Sequence, residues 1–224
     1  MEKLYKGDEI AKKVIDFCLG KYKFIFISGN GGSGKTTLSH QLVKEINSRG
    51  LHANCIDMDE FMIDSKIRKS SKKEWVDALG NKRISYLTWA FKESYNLDSL
   101  ETCIHSLKNG KDCSYKSKSG EEVVLKSECS ITIIEGVGTA FLKKEEITYG
   151  IFVMCDFKHE VDRRINRARD GETNLSREEV EGKATERNEQ FEVTILPEKN
   201  KFDLELWSLD DHSFRIDRDN LTVL

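Results

Sequence analysis

A chain of 224 residues is long enough to bury one α/β core with a modest insertion and short for two full domains. Its net charge of −3, with both signs among the 33% of charged residues, supplies no global basic field for nucleic acid, and no apolar run approaches the ~20 residues that span a bilayer. The six cysteines (Cys18, Cys55, Cys103, Cys113, Cys129, Cys155) form no Cys-x-x-Cys pair, so reduced core thiols are expected rather than a zinc site.

The first residues hold no apolar signal region, which predicts a cytoplasmic protein without nucleic-acid or membrane partners. A single proline, Pro197, and no Gly/Ser-rich linker predict one domain over 1–224. Ile10, Val14, Phe17 and Cys18 share one face of a first helix that Asp8 would cap and Gly20 would end. The apolar run 24–27 then leads into Gly29-Asn30-Gly31-Gly32-Ser33-Gly34-Lys35-Thr36-Thr37, the spacing of a phosphate-binding loop, or Walker A motif. Glycines let successive backbone N–H groups point into one concavity, Lys35 adds a charge for the β- and γ-phosphates, and Thr36 offers a hydroxyl to Mg²⁺. The following helix carries Leu38, Leu42, Val43 and Ile46 on one face, ends at Arg49-Gly50, and brings its positive end to the same place. Nucleotide binding follows from this motif in its strand–loop–helix context.

Residues 52–57 read as the next strand, ending in Asp57-Met58-Asp59-Glu60-Phe61, where open α/β sheets keep their chemistry. The basic stretch 66–73 reads as a solvated face followed by core helices with Trp75, Val76 and Leu79, then Ile84, Leu87 and Phe91. The alternative is that these bases lie over an anionic substrate. Asp98-Ser99-Leu100-Glu101 resembles a capping box for a helix running to Asn109-Gly110. A small hairpin insertion is expected at about 111–126, with Tyr115 either exposed or touching a substrate ring.

Ile131-Thr132-Ile133-Ile134-Glu135-Gly136 has the pattern of a buried parallel strand closed by a carboxylate. Glu135 would emerge beside the loop, either ordering Mg²⁺ through water or acting as a cap or salt bridge. Residues 151–154 make another buried strand, with Asp156 at its end. The segment 161–171 then places Arg163, Arg164, Arg167 and Arg169 in one helix and its terminal turn, suited either to close over a transferred phosphoryl group or to form a neutralised surface. Ser176-Arg177-Glu178-Glu179 caps a polar helix to about Gln190, giving a lid region of about 158–190 that is solvent-facing or able to move. Residues 202–207 alternate apolar and charged side chains like a strand at the sheet edge, and the tail from Asp210 is left unassigned.

The chain resembles the uridine kinase-like branch of P-loop kinases, with relatives acting on pantothenate, phosphoribulose and nicotinamide riboside. The resemblance is carried by residues 29–37, then Asp59-Glu60-Phe61, Leu107-Lys108-Asn109-Gly110-Lys111, Ile134-Glu135-Gly136 and Arg169-Asp170-Gly171-Glu172. It implies a P-loop kinase fold, with a parallel sheet of about five strands flanked by helices. It also implies ATP with Mg²⁺, and γ-phosphate transfer to a primary hydroxyl. Asp59 would match the catalytic aspartate, Glu135 the glutamate of the Glu-Gly motif, and Arg169 the lid arginine. Met62 stands where uridine kinases commonly have Tyr, no Asp-His-Pro follows in the middle segment, and 111–115 lacks the usual proline; these positions belong to acceptor recognition.

The expected protein is an ATP-dependent small-molecule kinase of the nucleoside type. Lys35 and the loop backbone would hold the phosphates, Thr36 and Glu135 would order Mg²⁺, Asp59 would accept the hydroxyl proton, and Arg167 and Arg169 would close the lid. Asp57 is a rival base, since residues two apart on a strand point to the same side. Left open are a nucleotide-dependent switch with slow hydrolysis, a kinase acting on a nucleotide or another metabolite, ATP versus GTP, and whether the chain forms a homo-oligomer.

Overall fold

The structure, a computed structural model, describes residues 3–167, 176–209 and 213–220, apart from the side chains of Arg164 and Arg167. In chain order the first half comprises β1 (Leu4–Tyr5), α1 (Gly7–Cys18), β2 (Phe24–Gly29), α2 (Lys35–Ser48), β3 (Ala53–Asp57), α3 (Ser65–Ser70), β4 (Lys72–Val76) and β5 (Lys82–Tyr86). Then come α4 (Leu97–Lys108), β6 (Cys113–Lys116), β7 (Glu122–Leu125), β8 (Ile131–Glu135), β9 (Thr148–Cys155), α5 (Phe157–Arg167), α6 (Arg177–Thr194), β10 (Leu204–Ser208) and β11 (Phe214–Asp219).

The continuous apolar runs become strands buried on both faces. β10, β9, β2, β8 and β3 lie side by side in parallel, the five-stranded sheet expected from the sequence, and antiparallel β11 and β1 extend it to seven strands. Alternation along each strand sends side chains to opposite faces. Ile25 and Ile27 pack with Val14 and Ile15 of α1 and Leu38 and Leu42 of α2, whereas Phe24 and Phe26 pack with Leu100 of α4 and Phe191 of α6. No helix among the described residues is long and apolar enough to cross a membrane.

Several expectations are corrected. β10 lies inside the sheet between β9 and β11. Its alternating carboxylates mimicked an edge, but Glu205 is buried and paired with Lys199 at 3.1 Å and Arg218 at 2.5 Å. Residues 72–86 form an antiparallel hairpin in place of core helices. Asp77 sets its turn by accepting from the Leu79 and Asn81 amides at 3.0 and 2.9 Å, and that turn chemistry overrides the helical spacing of the apolar residues. Ser85 on its inner face accepts a hydrogen bond from Gln190 of α6 at 3.0 Å, while Val76, Ile84 and Tyr86 are exposed.

α6 is therefore no solvent-facing arm along its whole length, since Gln190 and Phe191 are buried. Ser176 does cap it, accepting from the Glu179 amide. Two other caps differ: Asn96 caps α4 in place of Asp98, and at α1 it is Glu9 that accepts from the Lys6 amide at 2.8 Å. Cys103 of α4 and Cys113 of β6, expected as reduced thiols, lie with Cα atoms 5.5 Å apart in a disulfide that ties the β6–β7 hairpin to the core.

Phe152 is fully buried against the rings of Phe202 and Phe191, with centroids at 5.1 and 6.3 Å. Phe152→Ala should cost about 3–5 kcal/mol through lost apolar contact and a cavity. Ile84→Ala on the exposed hairpin face should stay within about 0.5 kcal/mol of the parent, both read from urea unfolding midpoints.

Candidate active site

The parallel register brings the carboxyl ends of β2, β3 and β8 to one edge, because Ile27 and Asp57 both pair with Glu135. A cleft of about 640 Å³ opens there. Its loop wall is made by Gly31, Gly32, Gly34, Lys35 and Thr36, and Asp57, Asp59 and Glu135 supply its carboxylates. The other expected loop residues, Gly29, Asn30, Ser33 and Thr37, do not line it, and three of them shape the loop from behind.

Gly29 has φ +138°, and a Cβ there would lie 1.8 Å from the Val153 carbonyl oxygen, so only glycine lets the loop leave the sheet between β2 and β9. Asn30 is buried and bridges to the end of β9, donating to the Cys155 carbonyl and accepting from the Cys155 amide, each at 3.0 Å. Ser33 donates to the Asn30 carbonyl at 3.0 Å, and Thr37 is exposed.

Lys35 folds back over the loop, its Nζ donating to the Gly29 and Asn30 carbonyls at 3.2 and 2.6 Å. Burial pushes its ammonium pKa below the ordinary lysine value, opposed by Glu135, Glu160, Cys155 and Asp59. A buried cation over a glycine cradle, beside the start of α2, suits a polyphosphate. Thr36 Oγ1 donates to Glu135 Oε1 at 2.7 Å, and Glu135 is buried. No three His, Cys, Asp or Glu side chains among the described residues form a metal cage. The hydroxyl–carboxylate pair nevertheless fits Mg²⁺, which keeps several waters and takes one or two protein ligands plus phosphate oxygens.

Asp59 does not sit on β3, contrary to the expectation that it and Asp57 point the same way along one strand. It lies in a 3-10 turn, Met58–Phe61, capped by Asp57, whose Oδ1 accepts from the Asp59 amide at 2.8 Å. Gly136, at φ +136°, lets this turn close on β8, since a Cβ there would lie 2.5 Å from Met58 Cβ. Asp57 thus aims the turn while Asp59 is carried on it. The Asp57 carboxyl is reachable from the cleft but sunk among protein atoms. That desolvation, then Asp59 and Glu135, raise its pKa to about 6 against the partial opposition of the Asp59 amide.

Of the arginines, Arg169 lies outside the described residues, and Arg167 is the last residue of α5 with its side chain not described. Arg163 does face the cleft, but as a clasp: it donates to the Gly32 carbonyl and the Leu209 carbonyl, each at 2.7 Å. It ties the phosphate loop to the segment after β10. Sequence reasoning counted it as a lid arginine because helical spacing gives its face and not its acceptor.

Trp89, Lys118, Lys183 and Arg187 also line the cleft and had not been singled out. The spacing of Lys183 and Arg187, four apart on α6, was the available signal. Of the basic stretch, Arg68 and Lys69 face the cleft, whereas Lys73 pairs with Glu93 at 2.5 Å. Tyr115 packs on buried Phe61 with ring centroids 4.8 Å apart, so it supports the turn that carries Asp59 and does not line the cleft.

A model of the phosphoribulokinase/uridine kinase family matches residues 24–214. Uridine-cytidine kinase B of Dictyostelium discoideum is 24% identical over 156 residues, 66% of this chain and 59% of that protein. Guanylate kinase of Chlamydia muridarum is 28% identical over 171 residues, 70% of this chain and 69% of that protein. The chain thus spans less than two thirds of the first relative's length. Among solved structures, D-glycerate 3-kinase from Cryptococcus neoformans superposes with TM-score 0.63 at 12% identity, covering 92% of this chain and 96% of the other. A Bacillus stearothermophilus protein described as a possible uridine kinase gives 0.56 at 17%, covering 89% and 96%. These likenesses show the P-loop kinase fold.

In metal-free and nucleotide-free protein, Asp57→Asn keeps an acceptor for the Asp59 amide and removes one of three neighbouring negative charges. The wild-type carboxyl is harder to ionise folded than unfolded, so the variant should be the more stable above pH 6. Its advantage should fade as pH falls from about 6 towards 4, as the folded wild-type carboxyl takes up its proton, and vanish only below the unfolded value of 3.8, where the group is protonated in both states. Unfolding midpoints across pH 4–8 check this. Arg163→Ala frees the loop carbonyl and should weaken ATP binding about tenfold, read by isothermal titration.

Proposed function

The chain belongs to the phosphoribulokinase/uridine kinase family, and on that premise we propose that it transfers the γ-phosphate of ATP to a hydroxyl of a small, nucleoside-type molecule. The observation that carries this reading is the placement of Asp59, on a capped turn, in the same cleft as Lys35, Thr36 and Glu135. A kinase must aim a base at an acceptor hydroxyl near the γ-phosphate. In the proposed step the acceptor oxygen bonds to the γ-phosphorus as its bond to the ADP oxygen breaks, and the hydroxyl proton passes to Asp59.

The loop N–H groups and Lys35 bind and orient the phosphates. Mg²⁺, held from Thr36 and through water from Glu135, would supply charge neutralisation there. Asp57 holds the Asp59 turn, and Lys183 and Arg187 of α6 line the cleft as cations for the developing charge; Arg167, the last residue of α5, and Arg169 after it are the lid arginines of the proposal. Met62 and Trp89 offer an apolar wall to the acceptor. The nucleoside class is the reading closest to the uridine-cytidine kinase relative. A second reading, transfer to a phosphate already on the acceptor, is favoured by Arg68 and Lys69 in the cleft and by the guanylate kinase likeness. The protein is expected to work in the cytoplasm without nucleic acid or membrane.

A coupled ADP-release screen over nucleosides, sugars and vitamins, with product masses, tests the reaction. Asp59→Asn should lower turnover by about 10²–10⁴-fold while leaving ATP affinity nearly intact. Unchanged turnover would remove Asp59 from the role of base.

A further inference from the structure

The acceptor half of the cleft is strongly cationic. α3 begins four residues after the Asp59 turn and presents Arg68 and Lys69 to the cleft. Lys118, in the β6–β7 turn, is brought to the same side because its amide donates to Glu60 Oε2 at 2.6 Å, next in sequence to Asp59. Arg68 is aimed by a bond from its Nε to the Ile63 carbonyl at 3.1 Å, leaving its terminal nitrogens for another acceptor. The ammonium groups of Lys69 and Lys118 meet no carboxylate among the described residues, whereas Lys73 of the same basic stretch has Glu93.

Three cations drawn from two separate elements thus gather beside the candidate base. The transferred phosphates have their own cations on the phosphate loop and its helix, in Lys35 and in the loop that Arg163 clasps. An uncharged acceptor would leave this group without a counter-charge. A guanidinium fork with two ammonium groups matches a phosphate monoester or a carboxylate.

Resting on the transfer of the γ-phosphate to a hydroxyl proposed above, and not on an uncharged nucleoside as its recipient, we propose that the acceptor carries, besides the hydroxyl that is phosphorylated, an anionic group bound by Arg68, Lys69 and Lys118. The hydroxyl faces Asp59 and the anion faces α3 and the hairpin turn.

The test has two measurements on the full chain. In the first, protein saturated with a non-hydrolysable ATP analogue and Mg²⁺ is titrated with inorganic phosphate or with acetate while its melting temperature is followed. Phosphate or acetate should raise the melting temperature in the wild type and not in Arg68→Ala/Lys69→Ala; no rise in the wild type, or an equal rise in the variant, overturns the proposal. The two anions distinguish a phosphate-bearing from a carboxylate-bearing acceptor.

The second compares ADP release with matched acceptors, a nucleoside or sugar against its monophosphate and a polyol against its acid. The anionic member should have the lower KM, and the double variant should raise that KM by about 10–100-fold with the KM for ATP changed less than about threefold. Equal use of uncharged acceptors overturns the anion proposal. Anion-dependent stabilisation without ADP release from any acceptor overturns the kinase reading instead.

Discussion

Everything in the cleft depends on the register in which the parallel strands pair. Ile27 and Asp57 both lie opposite Glu135, so the loop after β2, the turn after β3 and the carboxylate ending β8 arrive at one height. A slip of one residue would send Glu135 to the other face of the sheet and break the Thr36 bond. Buried apolar side chains on both faces hold that register, Ile25, Ile27 and Ile133 towards α1 and α2, Phe24, Phe26 and Ile134 towards α4 and α6. The fold's core and the site's geometry are therefore one constraint.

Charge is sorted within the cleft. Desolvation first, and then the nearby Asp59 and Glu135, make Asp57 harder to ionise, a cost that persists because its carboxyl caps the turn carrying Asp59. The cations surround this centre on separate elements: Lys35 on α2, Arg163 on α5, Lys183 and Arg187 on α6, Arg68 and Lys69 on α3, and Lys118 on the hairpin turn. Such an arrangement suits a reaction between two anionic partners that must approach one another. On the anionic-acceptor proposal, binding each partner by its own set of cations would offset their mutual repulsion.

Where sequence reading failed, a local pattern was satisfied by a different tertiary partner. Trp75, Val76, Ile84 and Leu87 fit a helical spacing, but Asp77 and Asn81 close a turn between them and the segment pairs as a hairpin against α6. Asp203 and Glu205 looked solvent-facing on 202–207, yet Asp203 accepts the Gly150 amide and Glu205 meets Arg218 of β11. Cys103 and Cys113, ten apart and unremarkable in sequence, become neighbours only because the β6–β7 hairpin folds back on α4.

The sequence by itself determined the donor side. The glycine spacing, Lys35 and Thr36, and the apolar runs ending in Asp57 and Glu135, are local patterns whose chemistry follows from backbone conformation and strand period, while the sheet of about five parallel strands was what the family resemblance implied. Family resemblance, and not spacing, separated Asp59 from Asp57; the fold then assigned Asp57 to the cap, because only the 3-10 turn and the approach allowed by Gly136 divide their tasks. The tertiary structure alone decided that Arg163 clasps the loop and which members of the basic stretch face the cleft. It likewise decided that Lys118, Lys183 and Arg187 join them, since a side chain's partner across long sequence separations depends on packing that no local period records.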